Sequence, residues 1–204
     1  MKVLKQKDVN INELADALKQ GKVIVYPTET CYGLGCDATN QEAVDRLFEI
    51  KKRRKDKTVL ALVSGLEMAG KYIELSPLVL ELAKKYWPGP LTIVAPSSDK
   101  EKLATGVIGS DNFIAVRMTD NQFAGRLCAE LGRPLVSTSA NISDRESPYD
   151  VESVLEMYKD VGDKPDIVID AGALPSRKPS TIIKVRDGSF EILRQGEVTV
   201  ENCG

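Results

Sequence analysis

The sequence predicts an α/β fold, a twisted mixed sheet flanked by helices in a single domain spanning residues 1–204. Three observations carry that expectation. Helical patterns alternate with short apolar stretches early in the chain, turn-forming residues separate them, and Asp187-Gly188 stands between two apolar stretches near the end as a two-residue hairpin signal. No internal repeat is visible, and strand order does not follow from these patterns.

The elements are expected as follows. A helix runs from residue 10 to about 20, with Asn10 and Glu13 as a capping box, Ile11, Leu14 and Leu18 on one face, and Gly21 as its stop. An apolar strand at 22–26 ends at Pro27, and a polar, glycine-containing loop continues to Thr39. There a second capping box (TNQE) opens a helix at 40–51 that buries Ala43, Val44, Leu47 and Phe48 and carries a basic run at its C-terminal end. A strand at 59–63 precedes a short helix capped by Ser64 and Glu67, and Ser76-Pro77 opens another. The WPGP sequence at 87–90 forms a turn before a strand at 91–95, and a further strand follows at 113–118. Asp120 caps a helix at 121–131 stopped by Gly132, after which a strand ends in Ser137-Thr138-Ser139. Asp150 caps a helix through Tyr158, 166–170 is a strand, and 181–185 and 190–194 form the hairpin.

Composition closes several function classes. The chain has no histidine, so Ser-His-Asp, Cys-His and His-zinc chemistry are excluded for it alone. Four cysteines, Cys31, Cys36, Cys128 and Cys203, form no CxxC pair, which argues against structural zinc and fits a reducing compartment. No apolar stretch reaches the roughly 18–20 residues that span a bilayer, and the N-terminal MKVLKQKDVNIN lacks the apolar middle of a signal peptide, so a cytoplasmic protein without a membrane partner is expected. The net charge is −2, yet Lys51-Lys52-Arg53-Arg54-Lys55-Asp56-Lys57 holds six bases and one acid. Positive charge is therefore local, which argues for a discrete anion site more than for a polyelectrolyte surface.

Three polar clusters lie just past apolar strands: 27–35, 51–57 and 137–141. In α/β sheets ligands bind outside strand carboxyl ends, so the clusters can converge on one cleft whose cations and hydroxyls suit phosphate oxygens. The other reading is a solvated basic loop with ordinary turn residues, and composition alone leaves both open. Gly33-Leu34-Gly35-Cys36-Asp37-Ala38 matches the dinucleotide fingerprint GxGxxG/A in form only, because six residues separate Tyr26 from Gly33 and the helix begins near Asn40. No Walker A loop is present, so side chains must hold any nucleotide.

Tyr26-Pro27-Thr28-Glu29-Thr30 with Tyr32-Gly33-Leu34-Gly35, Lys51-x-Arg53 with Asp56-Lys57, and Ser137-Thr138-Ser139-Ala140-Asn141 resemble, in order and spacing, the three signatures of the YrdC-like family. The resemblance extends to Trp87-Pro88-Gly89-Pro90-Leu91-Thr92, Ala115-Val116-Arg117, Pro179-Ser180-Thr181-Ile182 and Ile192-Leu193-Arg194-Gln195-Gly196. Eight residues follow Gly196, like the short form that lacks an extra C-terminal domain.

The resemblance implies a YrdC-like fold with a central positively charged cleft and formation of threonylcarbamoyl-AMP from L-threonine, bicarbonate and ATP, with Mg²⁺ accompanying the ATP. It implies Lys51 and Arg53 as catalytic groups on the triphosphate. Lys57, Thr138, Ser139, Asn141 and Arg194 complete the ATP site, and Thr28, Arg117, Ser137 and Ser180 take L-threonine. No metal site is built from protein residues. A separate threonylcarbamoyl-transferase complex would move the product onto tRNA. Nucleotidyl transfer needs positioning and charge neutralisation and no protein nucleophile, which suits a chain without histidine.

Alternatives accompany these residues. Lys52, Arg54 and Lys55 read as solvated or RNA-contacting, Ser137 and Thr138 as strand-end hydroxyls, and Arg117 and Arg194 as structural ion-pair partners. Cys31 reads as a small packing residue, while Glu29, Asp37 and Asp56 could meet magnesium, act as a base or cap loop amides. Some family members place a histidine shortly after the Lys-x-Arg segment, and this chain has Leu62 near that position. A non-enzymatic module binding tRNA or double-stranded RNA, and a carbamoyl-transfer enzyme with another small acceptor, are the competing functions.

Overall fold

The computed structural model describes residues 1–54 and 56–201, so the expectations on Lys55 and Cys203 lie outside it. The chain opens with strand β1, Lys2–Lys5, which the sequence pattern does not announce. Helix α1, Ile11–Lys19, starts at Asn10, whose side chain accepts from the Asn12 amide; its own amide nitrogen Nδ2 bonds Glu13 at 3.0 Å, so the capping box closes between side chains. Strands β2, Ile24–Pro27, and β3, Tyr32–Gly35, then form an antiparallel hairpin. This corrects the expected loop from Pro27 to Thr39. Polar and glycine content concealed β3, which is defined by its partners on both sides. Gly33 and Gly35 both lie inside it, so neither serves a dinucleotide turn.

Helix α2, Gln41–Lys51, is capped by Asn40 in place of Thr39, because Asp37 takes the Thr39 amide and hydroxyl at 2.8 and 2.7 Å. Strand β4, Leu60–Leu62, leads to α3, Leu66–Tyr72, which starts at Gly65 without a side-chain cap; the Ser64 hydroxyl reaches the Met68 sulfur instead. Helix α4, Pro77–Tyr86, begins at Ser76 with proline in its first turn, as the sequence predicts. Strands β5, Leu91–Pro96, and β6, Phe113–Arg117, follow. Helix α5, Gln122–Leu131, is capped by Asn121 in place of Asp120 and closed by Gly132 at φ 69°. Then come β7, Leu135–Ser139, α6, Val151–Met157, capped by Asp150, and β8, Ile167–Asp170. Strands β9, Thr181–Arg186, and β10, Ser189–Arg194, form the expected hairpin, with positive φ at Asp187 (51°) and Gly188 (75°).

The ten strands of the described residues join one mixed sheet in the order β1-β8-β2-β3-β7-β4-β6-β5-β9-β10. Strand β7 joins its halves: Thr138 and Ser139 pair with β3, while Leu135, Val136 and Ser137 pair with β4. The tip of β7 is thereby brought to the middle of the sheet.

Side-chain alternation then decides which face is covered. In the first half, Ile24 and Tyr26 join the cluster of α1 and α5, whereas Val23 and Val25 join that of α2 and α6 on the other face. In the second half, Leu91, Ile93, Ala95, Ile114, Val116 and Ile183 pack with α3 and α4. The alternate residues of the same strands, Thr92, Val94, Ala115, Arg117, Ile182 and Lys184, line a cavity on the opposite face.

Candidate functional site

That cavity measures about 640 Å³. Its floor is the open face of β5, β6 and β9, and the β2–β3 turn, the β7 tip and β10 complete its walls. Eight residues singled out from sequence line it: Thr28, Arg53, Arg117, Ser137, Thr138, Ser139, Ser180 and Arg194. Lys51, Lys57 and Asn141 are outside its lining.

Lys51 is the last residue of α2 and is buried. Its Nζ donates to the main-chain oxygens of Ser139 (2.5 Å) and Asn141 (2.9 Å) and to Asn141 Oδ1 (3.1 Å). An ammonium has three protons, and these acceptors use them all. The Asn141 amide donates onward to the main-chain oxygens of Ile142 and Arg145. Lys51 and Asn141 thus hold the backbone just past β7, and Ser139 Oγ reaches the cavity wall above them. Burial, then the charge of Arg53, lower the Lys51 pKa to about 8.

Arg53 spends two nitrogens on its own loop, Nε on the Lys57 main-chain oxygen and Nη2 on that of Thr58, both at 2.8 Å. Lys57 therefore contributes a backbone acceptor that aims Arg53. On the opposite wall, Arg194 donates to the Ser180 main-chain oxygen through Nε (3.1 Å) and Nη2 (2.8 Å), and Ser180 Oγ meets Thr92 Oγ1 at 3.0 Å. Thr28 is also occupied: its hydroxyl donates to the Cys31 main-chain oxygen at 2.6 Å and accepts from the Thr30 and Cys31 amides. It shapes the β2–β3 turn that frames the cavity.

Arg117, at the end of β6, forms a buried ion pair with Glu29, and the Thr119 hydroxyl donates to the second Glu29 oxygen at 2.7 Å. Of the other two carboxylates left open by the sequence, Asp37 pairs with Arg133 and Asp56 with Arg54, and neither lines the cavity. Leu62 packs in the apolar cluster of α1 and α5.

Comparison with known proteins follows the same outline. The Sua5/YciO/YrdC family model, described as telomere recombination, matches residues 16–196. The chain belongs to the Sua5/YciO/YrdC family. A Vibrio vulnificus relative named threonylcarbamoyl-AMP synthase is 36% identical over 191 residues, 92% of this chain and 98% of its own. P. abyssi Sua5 complexed with L-threonine superposes with a TM-score of 0.83 at 32% identity, over 96% of this chain and 57% of that one. E. coli YciO superposes at 0.79 with 25% identity, over 96% and 94%. The chain thus spans nearly the full length of the bacterial relatives and under two thirds of P. abyssi Sua5.

Within this Sua5/YciO/YrdC fold, sequence motifs missed much of the lining. Among the described residues five lining side chains are cationic, Arg53, Arg117, Arg177, Lys184 and Arg194, against one carboxylate, Asp111, which Lys184 pairs at 2.8 Å. Arg177, Lys184 and Asp111 belong to no motif. Lys184 also stands 4.1 Å over the Phe113 ring, and Phe113, Val94, Ala115, Ile182 and Leu193 give that end an apolar wall. The two-residue period of β5, β6 and β9 was the available signal. It becomes informative only once helices are known to cover a single face of this half.

Proposed function

We propose that the chain makes threonylcarbamoyl-AMP and pyrophosphate from L-threonine, bicarbonate or CO₂, and ATP, supplying tRNA threonylcarbamoyladenosine modification. One observation carries the reading: Arg53, Arg117 and Arg194, distant in sequence, line one cavity with the β7 hydroxyls, in a chain aligned over 92% of its length with a relative of that name. Burial and then the charge of Arg117 lower the Arg194 pKa, so these guanidinium groups sense one another in a poorly solvated site. Grouped cations of this kind favour a polyanion.

In this reading the threonine amine bonds to the carbon of CO₂ and releases a proton, giving a carbamate. A carbamate oxygen then bonds to the α-phosphorus, and the bond to the β-phosphate oxygen breaks as pyrophosphate leaves with the electron pair. Arg53, Thr138, Ser139 and Arg194 hold the nucleotide; Lys51, Asn141 and Lys57 act through them by fixing the loops. Arg117, Ser137, Ser180 and the Thr28 turn hold L-threonine, which the complex of P. abyssi Sua5 supports at the level of the fold. Magnesium enters as part of the ATP substrate, bound to phosphate oxygens. Among the described residues no group of three Cys, Asp or Glu side chains could hold it instead.

Product would pass to a separate transferase complex acting on tRNA. Among the described residues no helix is long and apolar enough to cross a membrane, and Cys31, Cys36 and Cys128 are free thiols, in keeping with a cytoplasmic site of action.

The test is pyrophosphate release with each substrate omitted in turn, together with mass spectrometry of the adenylate formed from labelled bicarbonate. Release requiring all three substrates and a labelled threonylcarbamoyl-AMP are expected. Equal turnover without L-threonine would rule the reading out, and RNA binding that weakens with salt and ignores L-threonine would favour an RNA-binding module.

A further inference from the structure

Arg117 and Glu29 are both buried, the side chains 4% and 5% exposed, and the pair is built from two strand ends, Glu29 in the β2–β3 turn and Arg117 at the end of β6. Each oxygen of Glu29 has its own donor, Oε1 receiving Arg117 Nη1 and Oε2 receiving the Thr119 hydroxyl. Thr119 is fixed in turn, since the Asn121 amide donates to its oxygen at 3.1 Å where α5 begins. Glu29 is therefore held at both ends, and its turn is locked by Thr28.

Arg117 is satisfied on one side only. Its Nε is a buried nitrogen with no hydrogen-bond partner among the described residues, although Arg117 lines the cavity. In a planar guanidinium Nε–H and one Nη2 proton share the edge that Nη1 does not, and this edge matches the two oxygens of a carboxylate. An unpaired buried N–H opposes folding, so this free donor calls for a role beyond packing.

We propose that Glu29, steadied by Thr119, is a positioning residue for L-threonine: by occupying Nη1 it fixes the Arg117 guanidinium and leaves its Nε–Nη2 edge free for the substrate carboxylate. The proposal rests on the functional reading above. A guanidinium released from Glu29 would keep its charge and lose its orientation, so affinity for the small planar anion falls while the nucleotide, held by Arg53, Arg194 and the β7 tip, is unaffected.

Calorimetric titration of wild type, Glu29→Ala, Glu29→Asp and Glu29→Gln with L-threonine and, separately, Mg-ATP tests this. L-Threonine binding should weaken about tenfold or more in Glu29→Ala and Glu29→Asp, with ATP binding changed by less than about twofold. Glu29→Gln keeps an oxygen to accept from Nη1 and should lie within about threefold of wild type for both ligands. If Glu29→Ala does not fold, Glu29→Asp and the isosteric Glu29→Gln decide the matter. Unchanged L-threonine binding in Glu29→Asp, equal losses for both ligands, or Glu29→Gln as weak as Glu29→Asp would overturn the proposal. Wild-type protein that binds ATP and no L-threonine would remove the functional reading and this proposal with it.

Discussion

The Lys51 ammonium donates twice to Asn141, to its main-chain oxygen at 2.9 Å and to its side-chain oxygen at 3.1 Å. A cation named from sequence as a phosphate ligand thus ties a helix end to the backbone beyond β7, and its protonation state becomes part of the site's architecture.

The pH dependence follows from that contact. Lys51 titrates near 8 in the folded protein against an ordinary value of 10.5. Between these values the unfolded chain binds more protons at this group, so its contribution to stability rises with pH across that window. Deprotonation near 8 also removes one of the three Nζ protons shared among Ser139 and Asn141 and loosens that tie. ATP affinity should therefore fall as pH rises through about 8, while wild-type stability relative to Lys51→Met rises. ATP titrations and thermal melts at several pH values check both, and an ATP affinity flat from neutral to alkaline pH would count against it.

Arg53 should behave as a preorganised donor whose aim matters as much as its charge. With Nε and Nη2 on the Lys57 and Thr58 carbonyls, the guanidinium is held in place where Arg53 lines the cavity. Arg53→Ala is expected to lower pyrophosphate release about 10²–10³-fold, and Arg53→Lys to recover little of it because an ammonium lacks the planar fork. Full recovery in Arg53→Lys, measured by initial rates, would show that charge alone suffices.

Gly196 packs against the backbone before β9. A Cβ there would stand 2.1 Å from the Pro179 oxygen and 2.5 Å from the Ser180 carbonyl carbon, so Gly196→Ala must push Ser180 away. That shift breaks the Arg194 clamp. A loss of about 1–3 kcal/mol in stability is expected, with weaker ATP binding. Denaturant unfolding and ATP titration of the variant provide the check, and wild-type values in both would exclude the clamp.

Cys31 should resist alkylation. Burial raises its thiol pKa, and no histidine exists to activate it. Iodoacetamide at neutral pH should modify it slowly in native protein and readily after denaturation, as peptide mapping would show; rapid labelling of native Cys31 would contradict this.

Much of the local architecture was legible in the residues. The starts of α1 and α4, the Gly132 stop, the Asp187-Gly188 hairpin and most strand cores follow from caps, turn chemistry and periodicity, which act between residues a few positions apart. Strand β3 was not legible, because its glycines and polar neighbours read locally as loop. Caps slipped by a residue at Asn40 and Asn121: Asp37 and Thr119 accept from the Thr39 and Asn121 amides, and the Asn40 and Asn121 side chains accept from the Ala43 and Ala124 amides.

The sequence by itself determined which chemistry is open to this protein: no histidine, a local run of cations, and hydroxyls at strand ends. Only the tertiary structure decided how those groups are used. It set β7 at the junction of the half-sheets, left one face of β5, β6 and β9 as a cavity floor, occupied the Lys51 donors and left Arg117 Nε without a partner among the described residues. The physical reason is separation along the chain. Lys51 meets Ser139 and Glu29 meets Arg117 across 88 residues in each case, and no local pattern specifies which donors such distant partners will satisfy.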